Sequence, residues 1–170
     1  FNTTADAAIS GVFSGTGSLT KTGEFALKLN STGASSGVGL GVDAGQLVLS
    51  GNASYNGASL AAGSSLTVAE GAKVTFDGAN LDAIAEQSSV NVQGMLTSDV
   101  PAQINALFNA GTSTFNGALA ANTVENTGTL TINEDSSVAS LQGFGTLNVA
   151  ADKTLMLKND ATVGKLNNAG

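Results

Sequence analysis

The side chains with the most evident capacity for chemistry are carboxylates. Glu70, Asp77, Asp82, Glu86, Glu125, Glu134, Asp135, Asp152 and Asp160 are spread between strand-like segments. A glycan-cleaving enzyme needs little more than two such groups at a suitable separation, one as general acid and one as base or nucleophile. Glu134-Asp135 and Asp152 follow matching strands, so on one edge of a stack they would line up as a site for a cation. The plainer expectation is that they are turn acids facing solvent, because no aromatic cluster accompanies them to stack on sugar rings, and the calcium-binding Gly-Gly-x-Gly-x-Asp repeat is absent. Gly33-Ala34-Ser35-Ser36-Gly37 satisfies the G-x-S-x-G pattern of a nucleophile elbow, which also needs a strand before it, a helix after it and a histidine elsewhere. The chain has no histidine, so this stretch reads as a polar turn. Gly39-Leu40-Gly41-Val42-Asp43-Ala44 resembles a dinucleotide-binding turn, but no helical pattern follows it, and strand glycines are the better account.

Absences narrow the field further. The chain contains no His, Cys, Trp or Arg, and its six basic residues are all lysines. Without histidine there is no Ser-His-Asp or Cys-His arrangement and no imidazole ligand for zinc. Without arginine there is no bidentate phosphate fork, and a net charge of −7 from 13 acids and 6 bases repels a polyanion, so nucleic acid is excluded as a partner. No catalytic, cofactor-binding or metal-ligating residues are assigned, and no cofactor is expected. The lack of cysteine suits a chain that crosses an oxidising compartment unfolded.

What positions the remaining side chains is a recurrence of short alternating apolar pairs. Leu66 and Val68, Val74 and Phe76, Leu130 and Ile132, Leu147 and Val149, and Leu155 and Leu157 are separated by Gly, Asn, Ser, Thr and Asp. Alternation at period two puts each pair on one face of a strand, and the turn residues end each strand within a few positions. Phe25, Leu27 and Leu29, the stretch Val38 to Val42, and Leu47 with Leu49 continue the pattern towards the N-terminus. Eight residues separate Leu66 from Val74, Leu147 from Leu155 and Leu130 from Val138, making strand, tight turn, strand the unit.

Strands of four or five residues with few aromatics favour a right-handed parallel β-helix over an antiparallel sandwich. At about 18 to 24 residues per turn and about 4.8 Å between rungs, the chain would make seven to nine turns. It reads as a single all-β segment over residues 1–170, cut from a longer protein. Two stretches break the pattern and predict short helical insertions. Asp99 to Gly111 has a capping residue at Ser98 or Asp99, Pro101 in the first turn and Ile104, Leu107 and Phe108 at helical spacing. Ala79 to Gln87 places Leu81, Ile84 and Ala85 on one side. Turn asparagines Asn52, Asn56, Asn116, Asn126, Asn133 and Asn159 are expected to stack as ladders between rungs.

Gly17-Ser18-Leu19-Thr20-Lys21-Thr22-Gly23, the run from Ala44 to Gly57, and Ala62-Gly63-Ser64-Ser65-Leu66-Thr67-Val68 resemble the passenger-associated repeat of bacterial autotransporters, the type V secretion proteins. In that repeat a Gly-x-Leu-x-Lys-x-Gly stretch leads to a Leu-x-Leu-x-Gly strand, an Asn-x-x-Tyr-x-Gly turn and an Ala-Gly-x-Leu-x-Val strand. The match covers about a third of the chain; Asn30 to Asp43 interrupts it, and Glu24-Phe25 stands where the family has a small residue. The resemblance implies a β-helical rod at the surface of a Gram-negative cell or outside it, held in the full-length chain by an outer-membrane β-barrel. Its implied roles are adhesion, display or self-association, with a host surface protein, a glycan or another copy as partner. A glycan-cleaving β-helix enzyme and a vacuolating or pore-forming toxin segment are the alternatives. Tyr55 falls at the family's turn position and is expected to pack rather than bind.

Overall fold

The computed structural model describes residues 1–31 and 37–169, and every regular element among them is a strand. In chain order these are β1 (Ala7–Gly11), β2 (Ser18–Lys21), β3 (Leu27–Ser31), β4 (Gly39–Val42), β5 (Gln46–Tyr55) and β6 (Gly57–Leu60). There follow β7 (Ser65–Val68), β8 (Lys73–Phe76), β9 (Leu81–Ala83), β10 (Ser89–Val92), β11 (Met95–Ser98) and β12 (Ala102–Asn109). The last are β13 (Thr112–Phe115), β14 (Leu119–Asn126), β15 (Thr129–Ile132), β16 (Ser136–Gln142), β17 (Thr146–Val149), β18 (Leu155–Leu157) and β19 (Lys165–Asn168).

The pairings between them are all parallel, and they sort the strands into three faces of a β-solenoid of about eight turns. On face I, Ala7, Leu27, Leu47, Leu66, Val90, Leu107, Val124 and Leu141 are successive register partners. Face II stacks Ala53, Val74, Leu96, Ser113, Leu130, Leu147 and Leu166. Face III stacks Leu19, Leu40, Ala58, Leu81, Ala102 and Leu119. These positions point inward, and their neighbours one residue away point out, as the pleat requires. The eight-residue step read from the sequence is therefore a step between adjacent faces: Leu66 lies on face I and Val74 on face II, while Leu147 lies on face II and Leu155 on face III.

The core is one continuous column of Leu, Val, Ile and Ala, with Tyr55 and Phe76 stacked as tilted rings 6.3 Å apart. Fully burying each Leu or Val contributes about 1.5 to 3 kcal/mol, so stability accumulates turn by turn rather than in a single centre. Side chains plug the corners: Ser88 Oγ donates to the Ala83 and Ala85 carbonyls, each at 2.6 Å, and Ser98 Oγ to the Val100 carbonyl at 2.8 Å. Among the described residues no buried side-chain polar atom lacks a hydrogen-bond partner.

Both predicted helical insertions are strand and corner instead. Asp99 to Gly111 holds the corner at Pro101 and all of β12; Ala79 to Gln87 holds β9 and a turn at Gln87, whose φ is +59°. The misleading signal has a geometric origin. Ile104 points inward at the end of face III and Leu107 points inward at the start of face I, and the bend at Asn105-Ala106 between them adds one residue to the alternation. A strand, a bend and a strand thus produce the i, i+3 spacing of a helix face. The same bend gives Ala121 and Val124, then Val138 and Leu141. The turns are also tighter than expected in the second half of the chain. Ser89 pairs with Ala106, which pairs with Thr123, which pairs with Ser140, a constant step of 17 residues.

Candidate interaction surface

Two of the three carboxylates that the sequence places on one edge, Glu134 and Asp135, are hydrogen-bonded within the protein itself. Lys153 Nζ donates to Glu134 Oε2 at 2.8 Å, and the Thr154 amide donates to Asp135 Oδ1 at 2.8 Å. The hydrogen bond to Glu134, with its negative charge and those of Asp135 and Asp152, raises the Lys153 pKa above the usual lysine value. Asp152 sits in the turn with φ +58°. A lysine ammonium thus takes the position imagined for a bound cation, and no group of three or more acids among the described residues is arranged to hold a metal. Of the G-x-S-x-G stretch, Gly33 to Ser36 lie outside the described residues. Gly39 and Gly41 are strand glycines in β4, and the turn after them leads into β5, not a helix.

Those two glycines shape a surface. On face III the outward positions of the early turns run Ser18, Gly39, Gly57 in one row and Thr20, Gly41, Ser59, Asp82 in the next. Where glycine stands in the middle rungs, the sheet has no outward side chain and the surface sinks between its neighbours. The result is an open groove of about 590 Å³ floored by Gly39, Gly41 and Gly57 and walled by Thr20, Asn56, Ser59, Asn80 and Asp82. A second depression of about 590 Å³ lies further along face III, over Ala118, Ala120 and Ser137, with Asp135 at its edge. These linings can donate and accept hydrogen bonds through hydroxyl, amide and carboxylate groups, the chemistry that suits hydroxyl-rich or main-chain ligands. Each is lined by one carboxylate, so in neither do two acids converge as hydrolysis of a glycosidic bond requires.

Asparagine ladders run along the corners and faces. Asn116 Nδ2 donates to Asp99 Oδ1 at 2.6 Å and Asn133 Nδ2 to Asn116 Oδ1 at 2.7 Å. The buried pair is Asn109 and Asn126: Asn109 Nδ2 donates to Asn126 Oδ1 at 2.7 Å and to the Thr129 carbonyl at 2.9 Å, and Ser113 Oγ donates back to Asn109 Oδ1. Asn159 reaches the Ala139 carbonyl, while Asn52 lies on face II and Asn56 in the groove wall. Asn105, Asn109, Asn122, Asn148 and Asn167 also join ladders, and the sequence reading missed them. The 17-residue spacing of Asn105 and Asn122 and of Asn109 and Asn126 was the available signal; Asn148 and Asn167 are 19 apart.

The lysine of the Gly-x-Leu-x-Lys-x-Gly stretch is not a surface group. Lys21 is fully buried, pointing inward from β2, and its Nζ donates to the carbonyls of Gly23 at 2.6 Å and Ala44 at 2.7 Å. Burial lowers its pKa. It ties the corner of one turn to that of the next. Tyr55 is likewise internal, with burial pushing its hydroxyl up to about 12. Compared with known proteins, the chain matches no family model, no curated protein and no solved structure.

Proposed function

We propose that this chain is a segment of the surface-displayed rod of a bacterial autotransporter passenger, and that it serves adhesion, display or self-association without catalysing a reaction. The observation that carries the reading is the glycine-floored groove on face III, open, edged by hydroxyl and amide groups and a single carboxylate, set on a rod whose strands are otherwise occupied in holding one another. Such a rod presents side chains at fixed intervals over a long surface, which suits weak contacts made many times. The partner class is a host surface protein or glycan, or another copy of the chain, and the setting is the Gram-negative cell surface or the medium outside it. An outer-membrane β-barrel elsewhere in the full-length chain would hold the rod in place.

Binding of the purified chain to arrays of matrix proteins and glycans, with glycan products analysed from the same wells, tests this. Retention on a ligand without cleavage, lost when Gly39→Tyr fills the groove, is the expected result. Turnover of any glycan overturns it, as does retention that Gly39→Tyr leaves unchanged.

A further inference from the structure

Face II differs from the other two faces in what it presents to solvent. Its outward positions form two columns. One runs Thr75, Thr97, Thr114, Thr131, Asn148 and Asn167; the other contains Thr112, Thr129 and Thr146 in succession, with Met95 before them and Lys165 after. Parallel rungs repeat at about 4.8 Å, and side chains two residues apart on a strand at about 6.6 Å, so the hydroxyls form a two-dimensional lattice. Threonine is stiff at χ1, and each of these threonines is half-buried against its neighbours, which fixes the direction of hydroxyl and methyl alike. From Thr97 to Asn148, and from Met95 to Thr146, successive rungs are 17 residues apart, so no change in turn length disturbs the register of that stretch.

Charge supplies the second observation. None of the 13 acids lies in a face II strand, although the chain carries −7 overall. Faces I and III do present acids, at Glu125 and Asp82. Lys73 and Lys165 stand on the first and last rungs of the array, beside Thr75 and Asn167, and the outward strand positions of the rungs between them carry no charge.

We propose that face II binds ice. Ice is an uncharged lattice of donors and acceptors that repeats in two dimensions, and it competes with liquid water of the same composition. A charged group holds its own hydration shell and gives that shell up only at high cost, which is a reason for carboxylates to be kept off such a surface. A hydroxyl both donates and accepts and can join the water network, while the fixed methyl beside it removes apolar area from liquid water. Only a rigid surface with its own repeat can meet many lattice positions at once. Face II carries no outward aromatic to stack on a sugar ring, which argues against a crystalline polysaccharide as the ligand. This binding is separate from the groove on face III and does not depend on the adhesion reading.

The test is partition of the purified chain into slowly growing ice, together with the shape of single ice crystals grown in its presence. Thr114→Tyr and Thr131→Tyr break the lattice on face II, and Thr123→Tyr places the same change on the outward side of face I. Tyrosine is well tolerated in exposed strands, and circular dichroism with a melting curve confirms that each variant folds. The expected result is enrichment in ice and faceted crystals for the parent chain and Thr123→Tyr, with both effects lost in Thr114→Tyr and Thr131→Tyr. Exclusion of the parent chain from ice with round crystals overturns the proposal. So does activity that survives the face II variants, equal loss in Thr123→Tyr, or retention on cellulose or dimer formation without any effect on ice.

Discussion

The turns from Ser89 to Val149 and the turns before them are built from the same inward Leu, Val and Ile, yet they solve the corner problem differently. In the later turns every step is 17 residues, and one corner is a column of glycines at 94, 111, 128 and 145. A Cβ at Gly111 would overlap the Gly94 carbonyl, one at Gly128 the Gly111 carbonyl, and one at Gly145 the Gly128 carbonyl. In the earlier turns the steps are 20 residues from Ala7 to Leu27 and again to Leu47, 19 from there to Leu66 and 24 from Leu66 to Val90. Close corner glycines occur there too, since a Cβ at Gly45 would overlap the Glu24 carbonyl and one at Gly51 the Ser31 carbonyl, but they form no column at one spacing, and on face III Gly39 would place a Cβ in ordinary contact at 3.8 Å. Regular length produces a continuous glycine corner, asparagine ladders and a repeating outer face. Irregular length produces relief, and the glycine-floored groove lies in that relief.

The sharpest way to break this contrast is to add one methyl group in each region. Gly128→Ala forces the corner of one turn away from the next and is expected to lower stability by about 3 kcal/mol, whereas Gly39→Ala leaves it unchanged; melting curves of the two variants decide it. Equal effects would mean that the glycine column is not what sets the tight turns.

The next largest effect belongs to the earlier turns and is read through pH. Tyr55 is raised from 10.0 to about 12 by burial, so above pH 10 the unfolded chain loses a proton that the folded chain keeps. The unfolded state then binds fewer protons and stability falls as pH rises, by about 2 to 3 kcal/mol by pH 12. Lys21, with its pKa lowered, acts in the opposite sense, adding stability as pH rises towards 10.5. Chemical denaturation between pH 9 and 12 should show a decline that Tyr55→Phe removes and a steeper decline in Lys21→Met.

Within the regular turns, the two asparagine ladders should separate by burial. Asn126→Ala removes one of the two acceptors of the buried Asn109 amide, leaving the Thr129 carbonyl, and takes a donor from the Thr146 carbonyl, a loss of about 1 to 3 kcal/mol. Asn133→Ala removes an exposed bond of the same length, 2.7 Å, and should cost less than about 0.5 kcal/mol. Urea titrations of the pair measure the difference. The smallest effect on stability is expected from Gly39→Tyr, which fills the groove without touching the core: its melting temperature should match the parent while ligand retention on the array disappears.

Much of the architecture is legible in the residues. The alternating pairs mark β7, β8, β15, β17 and β18 at the positions where they occur, and seven to nine turns brackets the observed number. The ladders at Asn116, Asn126 and Asn133 were also readable, since an amide at a repeating turn position has an identical partner one rung away. The period was harder to see. The eight-residue step is the spacing between faces and recurs often, so it masks the 17-residue step carried by four glycines and by the Asn109 and Asn126 pair. The helical insertions were misread because a bend between two strands shifts the inward phase by one residue, and no local signal separates that from a helix face.

The groove and the threonine lattice were out of reach for a different reason. Both are made of outward residues that lie about 17 to 24 positions apart in the chain, and only the register of parallel pairing brings them together. The sequence by itself determined that the chain is a stack of short parallel strands with a thin aliphatic core, because period-two alternation and turn composition act over a few residues. Tertiary structure alone decided which outward side chains become neighbours, where glycines open a groove and that Lys21 points into the core, because turn length sets register and register is settled only when one rung pairs with the next.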